Sequence, residues 1–462
     1  MRNLRILNPY QDHTRSFRTR INPSNSMNED ILSFIWRFQY FEAANLQTED
    51  GCRVSVLKTG YRNSNSGPDF SDARIQIEGV EWGGCVEIHV KSSDWFLHTH
   101  ENDQSYESVI LHVVWENDKP VLRNDGTLIP TISLKGLVRL SILERYSQLI
   151  NENEEIPCCD SFPEASDLLK FTMLDRVLLE RLEKKSKHVI TLLQDNHQDW
   201  EETAYQWLTQ HFGFKLNDPA FLKLSQILPL KTIQKHRNNL TQIEAMLFGC
   251  AGLIPETSDA ELADKNSDEA IYLNELQREY QFLSAKYRLK DSSMQTHEWK
   301  FLRLRPAGFP TIRLAQLAVF LAGTNGIFSS LTSASNVSEL YKMFNLEQSS
   351  YWKKHFQFGK LSKSKVPAMG KDAANLLIIN AAVPLMVAYS KQRQQPEMLD
   401  KVLHWLSEIP AENNRITRQW ETLGMHVKNS ADSQSLIEWY NHYCSEKLCL
   451  ECAVGASLIR SS

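Results

Sequence analysis

The chain lacks features that mark several large classes of protein. None of its apolar runs approaches the roughly 18 residues that suggest a membrane span, so no membrane partner is expected. The first 26 residues contain no apolar core of the kind found in a secretory signal. We find no internal repeat and no extended low-complexity tract. These absences predict a cytoplasmic, globular protein.

The chain also lacks a strong excess of either charge. Its net charge of -5 over 462 residues identifies no class of partner. It does not exclude nucleic acid, because a local basic patch matters more than the sum. The apolar fraction of 42% and the charged fraction of 23% are ordinary for a globular protein. A chain of this length predicts two or three domains.

The order of segments predicts an α+β protein. Residues 1–26 carry five arginines against Asp12 alone and predict a flexible basic extension, with a nucleic-acid arm as the alternative. Residues 27–150 begin with a helical pattern behind a plausible Asn28 cap, and about five strand-like segments follow. This pattern predicts a mixed sheet with flanking helices.

The pattern of apolar and polar residues changes from strand-like to helical after this first domain. Residues 151–167 are acidic, contain proline and show no periodicity, which predicts a linker. Residues 168–462 repeat a long amphipathic pattern and predict a larger, mainly α-helical domain that ends in a cluster of cysteines.

Ionisable residues are concentrated in the stretch "GPDFSDARIQIEGVEWGGCVEIHVKSSDW". Glu87, His89 and Lys91 alternate along one predicted strand and therefore share a face of the sheet. Asp69 follows a Gly-Pro turn eighteen residues before Glu87, a spacing that a hairpin can close. Paired carboxylates suit Mg²⁺ or Mn²⁺, and a neighbouring Lys can stabilise the charge that develops on a phosphoryl group.

This stretch resembles the PD-(D/E)XK phosphodiesterase superfamily of restriction enzymes and RecB-like nucleases. The resemblance implies Asp69 and Glu87 as Mg²⁺ ligands, with Glu29 or Glu42 of the upstream helix as a further acid. It departs from the pattern in one place, because His89 stands where the lysine is expected and Lys91 comes two residues later. Either side chain can fill the catalytic position, and loss of activity in a retained fold is the alternative.

A histidine-rich stretch follows the predicted strand. His98 and His100 share a face if the strand continues, and neutral imidazoles are good ligands for zinc or manganese. The string "HTHEND" does not match the His-x-His-x-Asp-His element of metallo-β-lactamase-like hydrolases. We therefore interpret both histidines as substrate contacts for nucleic acid.

The cysteine pattern predicts a second, softer metal site. In a long chain without an export signal, spaced cysteines suggest metal before disulfide. Cys444, Cys449 and Cys452 form a C-x4-C-x2-C run, and Cys158 is the best fourth ligand. The set resembles that of iron–sulfur nucleases of the RecB-like type, although the order along the chain differs. Zinc is the alternative, and three buried free thiols are the plain structural interpretation.

A basic loop in the second domain predicts contact with phosphate. Arg303, Arg305 and Arg313 lie among aromatic residues in "WKFLRLRPAGFPTIRLAQL". The same arginines can instead neutralise acids at an internal interface, and the sequence does not separate the two.

Nearly the whole chain also resembles the bacterial family called domain of unknown function 2851. The segments that carry this likeness include "NSGPDFSDARI", "GGCVEIHVKSSDW" and "FLRLRPAGFPTIRL". The family brings no activity with it. The residues therefore carry the functional prediction, which is a metal-dependent nuclease acting on DNA or RNA. The alternative is a non-catalytic nucleic-acid-binding or scaffold protein that keeps a degenerate nuclease fold.

Overall fold

A computed structural model of the chain describes residues 27–63, 66–151, 153–255 and 268–460. The predicted basic extension, residues 1–26, lies outside these ranges. The described residues fall into two compact units. The first comprises those of Met1–Met173 and Tyr440–Ser462, and the second is Leu174–Trp439.

The first unit is built on a mixed sheet of six strands. The strands are β1 Val54–Lys58, β2 Tyr61–Arg62, β3 Phe70–Ile77, β4 Val80–Lys91, β5 Val109–Glu116 and β6 Thr131–Ser133. Their order across the sheet is β1-β3-β4-β5-β6, and β2 also pairs with β3. β3 runs antiparallel to β4, whereas β5 and β6 run parallel to it. The five strands predicted from alternation are present, and the α+β class is confirmed.

Four α-helices of the described residues lie wholly within the first unit. They are α1 Glu29–Phe38, α2 Asp94–Leu97, α3 Leu140–Asn151 and, at the other end of the chain, Ala453–Arg460. Asn28 caps α1, because its side chain accepts a hydrogen bond from the Ile31 amide at 2.9 Å. α1 ends at Phe38, where Gln39 takes a left-handed conformation, and so it is shorter than the predicted helix over residues 27–46.

The two faces of the sheet are covered differently. Val86 and Ile88 of β4 project into a core shared with Ile31 and Ile35 of α1. The opposite face carries Glu87 and His89, which are also buried. The connection between β4 and β5 covers this second face, since its aromatic residues pack beside the start of β5. A sheet face that would otherwise be solvated is thereby turned into a polar interior.

The unit boundaries differ from the segments read in the sequence. The stretch predicted as a linker, residues 151–167, carries Ile156 and Phe162 as buried side chains. The C-terminal segment groups with the sheet rather than with the second unit. Ala456 and Ile459 of this segment belong to the same core as α1. Amphipathic periodicity identifies these helices but does not say which core they join.

The second unit is almost entirely helical. Its helices are α4 Asp167–Asp195, which begins in the first unit, α5 Trp200–His211, α6 Asp218–Ile227, α7 Leu230–Gln234, α8 Leu240–Cys250, α9 Asp268–Tyr287, α10 Pro310–Gly323, α11 Ile327–Ser333, α12 Val337–Met343, α13 Lys371–Leu377, α14 Val383–Arg393, α15 Pro396–Glu408, α16 Arg415–Thr422 and α17 Ser430–Glu438. The helix Ala453–Arg460 of the first unit is then α18. Two short strands, β7 His355–Gln357 and β8 Lys360–Leu361, form a separate hairpin.

One helical stretch of the second unit is long and apolar enough to cross a membrane by length and composition. It runs over Lys371–Arg393, and its most apolar window of 18 residues has a mean hydropathy of 1.6. The bent pair Pro310–Gly323 and Ile327–Ser333 passes the same test as one broken span. The expectation that no apolar stretch reaches this length was therefore wrong. Of the most apolar window in the longer stretch, 72% is buried, as in the core helix of a globular domain.

Candidate metal centre

The register of β3 against β4 brings Asp69 opposite Glu87. Phe70 pairs with Val86, whereas Ala73 pairs with Gly84, so two residues of β3 face one residue of β4. This bulge contains Asp72, whose φ is +55°. Continuing the register by one pair places Asp69 across from Glu87, and directly opposed residues share a face. The two carboxylates predicted from the sequence therefore meet.

Backbone amides hold both carboxylates in place. The Glu87 Oε2 atom accepts a hydrogen bond from the Asp69 amide at 3.0 Å. The Asp69 Oδ2 atom accepts one from the Ile88 amide at 3.1 Å. Each carboxylate thus uses one oxygen on the backbone, and the second oxygen remains available to a ligand.

Burial and crowding disfavour negative charge at this site. Burial raises the pKa of Glu87 to about 8. Burial and the neighbouring Glu87 raise the pKa of Asp69 to about 7, against a smaller opposing effect of Arg62. Burial, Asp69 and Asp94 raise the pKa of Glu29 to about 7. Three carboxyl groups therefore share one poorly solvated region, and perturbed pKa values of this kind are typical of functional sites.

Four histidines cluster near Glu87, and two of them approach its carboxylate directly. Its Oε1 atom lies 3.3 Å from His100 Nε2 and 3.6 Å from His89 Nε2. His89 Nε2 lies 3.1 Å from His98 Nδ1, and His89 Nδ1 lies 2.8 Å from His112 Nε2. Burial lowers the pKa of His89 to about 2 and that of His112 to about 3, so both rings are neutral.

The histidines meet by a different route from the one predicted. The strand does not continue past Lys91, so His98 and His100 do not alternate along it; His98 follows α2, and His100 begins a short 3₁₀ turn. The fold of this connection returns both rings to β4. One ring nitrogen from each of His89, His98 and His100 lies within 4.8 Å of those of the other two.

Lys91 takes no part in this cluster. It is exposed at the end of β4, and its backbone amide donates to Asp94 Oδ2 at 2.9 Å. Over the ranges that the structure describes, the Lys91 ammonium makes no ion pair with Asp69 or Glu87. The position expected for a catalytic lysine is therefore occupied by His89.

Comparison with models of protein families identifies the family of this chain. The model of a family described as a protein of unknown function, DUF2851, matches residues 29–415. The chain belongs to the DUF2851 family. Searches of curated proteins and of solved structures found no match. The matched residues of this DUF2851 chain include the acids and histidines of β3, β4 and the following connection, but not the cysteines of the C-terminal segment.

Four cysteines of this DUF2851 chain gather in the first unit. The thiols of Cys444, Cys449 and Cys452 are nearly inaccessible to solvent. The pKa of the Cys158 thiol is raised mainly by burial and further by the neighbouring Cys452 and Cys449. The pKa of the Cys444 thiol is likewise raised mainly by burial and further by Cys452 and Cys158. The thiols are therefore close enough to influence the ionisation of one another.

The predicted basic loop of this DUF2851 chain is only partly available. Arg303 and Arg305 are exposed just before α10. The Arg313 guanidinium instead lies over the Phe214 ring, 4.1 Å from its centroid, and donates to Gln316 Oε1 at 2.9 Å. Arg313 thus makes an internal contact, although its partners are an aromatic ring and an amide and not the acids of the alternative interpretation.

Other residues at the site were not assigned to it from the sequence. His112 pairs with Glu87 in the parallel register of β5 and β4, and it is fully buried. Tyr106 stacks on His100 with ring centroids 3.8 Å apart. Alternation along "SVILHVVWE" indicates the face of His112, but only the strand pairing identifies its neighbour.

Proposed function

We propose that this protein is a metal-dependent phosphodiesterase that acts on DNA or RNA. One observation carries the proposal: Asp69 and Glu87 lie side by side, partly desolvated and raised in pKa. A buried carboxylate beside a half-buried one, without a strong cationic partner, is costly in its charged form unless a cation binds the pair. Arg62, the cation that acts on Asp69, is itself shared with Asp30 at 3.4 Å and Glu451 at 3.8 Å.

The donor atoms fit a hard divalent cation. Asp69 and Glu87 would hold Mg²⁺ or Mn²⁺ through carboxylate oxygens on the side where the two side chains face each other, with Glu29 close by. The bound ion would polarise a phosphoryl oxygen and lower the pKa of a water molecule. The backbone amides of Asp69 and Ile88 fix the two carboxylates before substrate arrives. His89 stands two residues after Glu87, where the PD-(D/E)XK pattern has a lysine, and His100 lies beside the Glu87 carboxylate.

Two exposed arginines support nucleic acid as the substrate class. Arg303 and Arg305 can meet phosphate groups, because neither is engaged in an ion pair among the described residues. His98, exposed beside the carboxylates, is a further candidate contact. The mixed sheet behind a capped helix also agrees with the resemblance to the PD-(D/E)XK superfamily.

The test is cleavage of labelled single- and double-stranded oligonucleotides with Mg²⁺ or Mn²⁺. We expect cleavage that a chelator stops and that Asp69→Asn and Glu87→Gln each reduce by about a hundredfold or more, since each removes a metal ligand. Asp72→Asn is the matched control, because Asp72 is an exposed acid on the same strand. Equal cleavage by all four proteins contradicts the assignment.

A non-catalytic role is the second candidate, favoured by the exposed position of Lys91. The same oligonucleotides serve in a binding assay. Binding that survives Asp69→Asn and Glu87→Gln, with no cleavage by the parent protein under any divalent ion, would support a nucleic-acid-binding scaffold with a degenerate site.

The four cysteines support a second cofactor in the first unit. Buried thiols with raised pKa values are good ligands once a soft metal displaces their protons. Cys158, Cys444, Cys449 and Cys452 would hold an iron–sulfur cluster or zinc. Anaerobic purification followed by visible absorption and metal analysis separates these outcomes. An iron–sulfur cluster held by cysteines should give a broad visible absorption band, and Cys449→Ser should lose this band. A colourless protein that contains no metal would reject both the iron–sulfur cluster and the zinc.

A further inference from the structure

We propose that His89, His98 and His100 form a further metal site in the first unit, separate from the carboxylates and from the cysteines and selective for a divalent transition ion such as Zn²⁺. This site adjoins the carboxylates but differs from them in chemistry. Neutral imidazole suits zinc and related ions, whereas Mg²⁺ prefers oxygen. The inference stands on the histidine geometry and does not require nuclease activity.

The distances match those of a tetrahedral site. With Zn–N bonds of 2.0–2.1 Å, ligand nitrogens are separated by about 3.3 Å. His89 Nε2 lies 3.1 Å from His98 Nδ1, and His100 Nε2 lies 3.3 Å from Glu87 Oε1. The three imidazoles come within mutual ligand range.

One ligand nitrogen has no hydrogen-bond partner. His100 Nε2 is buried, and its approach to Glu87 is not aligned as a hydrogen bond. A buried polar atom without a partner is costly, and a metal ion would satisfy it. The unpaired nitrogen therefore points to a ligand independently of the distances.

The surrounding residues hold the rings in orientations suited to ligation. His89 Nδ1 bonds to His112 Nε2 at 2.8 Å, so the second nitrogen of a ligating ring is fixed, as is usual for metal-bound histidine. His100 stacks on Tyr106, and Trp95 contacts both His89 and His100 edge-on. Exposed His98 leaves one side of the site open to solvent and gives the ion a path of entry.

Glu87 links this site to the carboxylate pair. Its Oε1 atom faces the histidines, and its Oε2 atom lies on the Asp69 side. A single carboxylate between two cation positions is the arrangement of a dinuclear centre. The hard ion and the transition ion would then share Glu87 as a common ligand.

The test compares Zn²⁺ binding by the full-length parent protein and by His98→Ala. Isothermal titration after chelator treatment should show a zinc equivalent that weakens about tenfold or more in His98→Ala. His98 is exposed, so the variant is expected to fold, and circular dichroism checks this. His404→Ala is the matched control, because His404 is an exposed histidine of the second unit. Zinc held by the cysteines contributes equally to all three proteins.

Cobalt provides a second readout. Co²⁺ added to the parent protein should give visible absorption bands of four-coordinate cobalt that His98→Ala loses and His404→Ala keeps. Identical zinc titrations and cobalt spectra for the parent and His98→Ala would overturn the proposal.

The same titration separates this inference from the proposed function. Asp69→Asn should lose cleavage and keep the His98-dependent zinc equivalent. A parent protein that binds this zinc but cleaves no oligonucleotide leaves the histidine site standing and rejects the nuclease. A parent protein that cleaves oligonucleotides but shows no His98-dependent zinc binding supports the nuclease and rejects the histidine site.

Discussion

At the scale of single residues, Glu87 is the centre of the site. It is 5% exposed, lies across the sheet from Asp69 and faces two histidines. Burial alone raises its pKa, and the hydrogen bond from the Asp69 amide opposes this only in part. The side chain is therefore protonated in much of the metal-free protein at neutral pH, and the proposed cation would have to displace this proton in order to bind.

This exchange predicts a pH-dependent stability. The pKa of Glu87 is raised from 4.5 to about 8, so the folded state binds more protons than the unfolded state between these values. Its contribution is fully present below about pH 4.5 and is lost as the pH rises towards 8. Relative to Glu87→Gln, which does not titrate, the metal-free parent protein should lose about 2 kcal/mol or more between pH 5 and pH 8.

Urea unfolding of both chelator-treated proteins at several pH values measures this difference. Saturating Mg²⁺ should abolish it, because the cation favours the charged carboxylate. Parallel stability curves for the parent and Glu87→Gln would show that Glu87 titrates normally.

At the scale of elements, the bulge in β3 decides the site. If the register of Ala73 with Gly84 continued along β3 without a bulge, Asp69 would oppose Ile88 and project to the other face of the sheet. Asp72 adopts a left-handed conformation within the bulge and pairs with Lys58. The bulge thus converts a spacing of eighteen residues into a pair of facing carboxylates.

A substitution at Asp72 tests the bulge. Asp72→Val should cost about 1–3 kcal/mol, because a β-branched residue is strained at positive φ, and should reduce Mg²⁺-dependent cleavage. Asp72→Asn also removes the charge but tolerates this conformation, so it should retain stability and cleavage. The free energy of unfolding and the cleavage rate of the two variants give the comparison. Equal behaviour would show that the bulge conformation is unimportant.

At the scale of the whole molecule, the first unit is completed by the end of the chain. Cys449, Ala456 and Ile459 belong to the core that α1 and the sheet share. Gly455 contributes to this arrangement, because a Cβ atom there would lie 2.5 Å from the Cys449 carbonyl oxygen. The C-terminal segment is therefore part of the domain that carries the site.

Removing one core side chain of this segment should destabilise the first unit. Ile459→Ala is expected to cost about 2–4 kcal/mol, because Ile459 is fully buried. Leu140→Ala is the control, since Leu140 is exposed at the start of α3. Denaturant unfolding of the full chain, followed by a probe in the first unit, measures both. A neutral Ile459→Ala would show that the segment is dispensable for this core.

The sequence by itself determined the local features of this protein. Alternation located the strands, the Asn28 cap began α1, and the spacing of Asp69 and Glu87 predicted a carboxylate pair. Each of these features depends on residues that are near one another in the chain. The spacing of residue types is therefore enough to predict them.

Only the tertiary structure decided which distant residues meet. The bulge set the facing pair, and the connection after β4 turned back to bring His98 and His100 to His89. Lys91 was left in solvent, and the chain end returned to the first core. These outcomes depend on register and on long-range packing. A pattern of residue types cannot encode them, because the same alternation is compatible with more than one pairing of strands and helices.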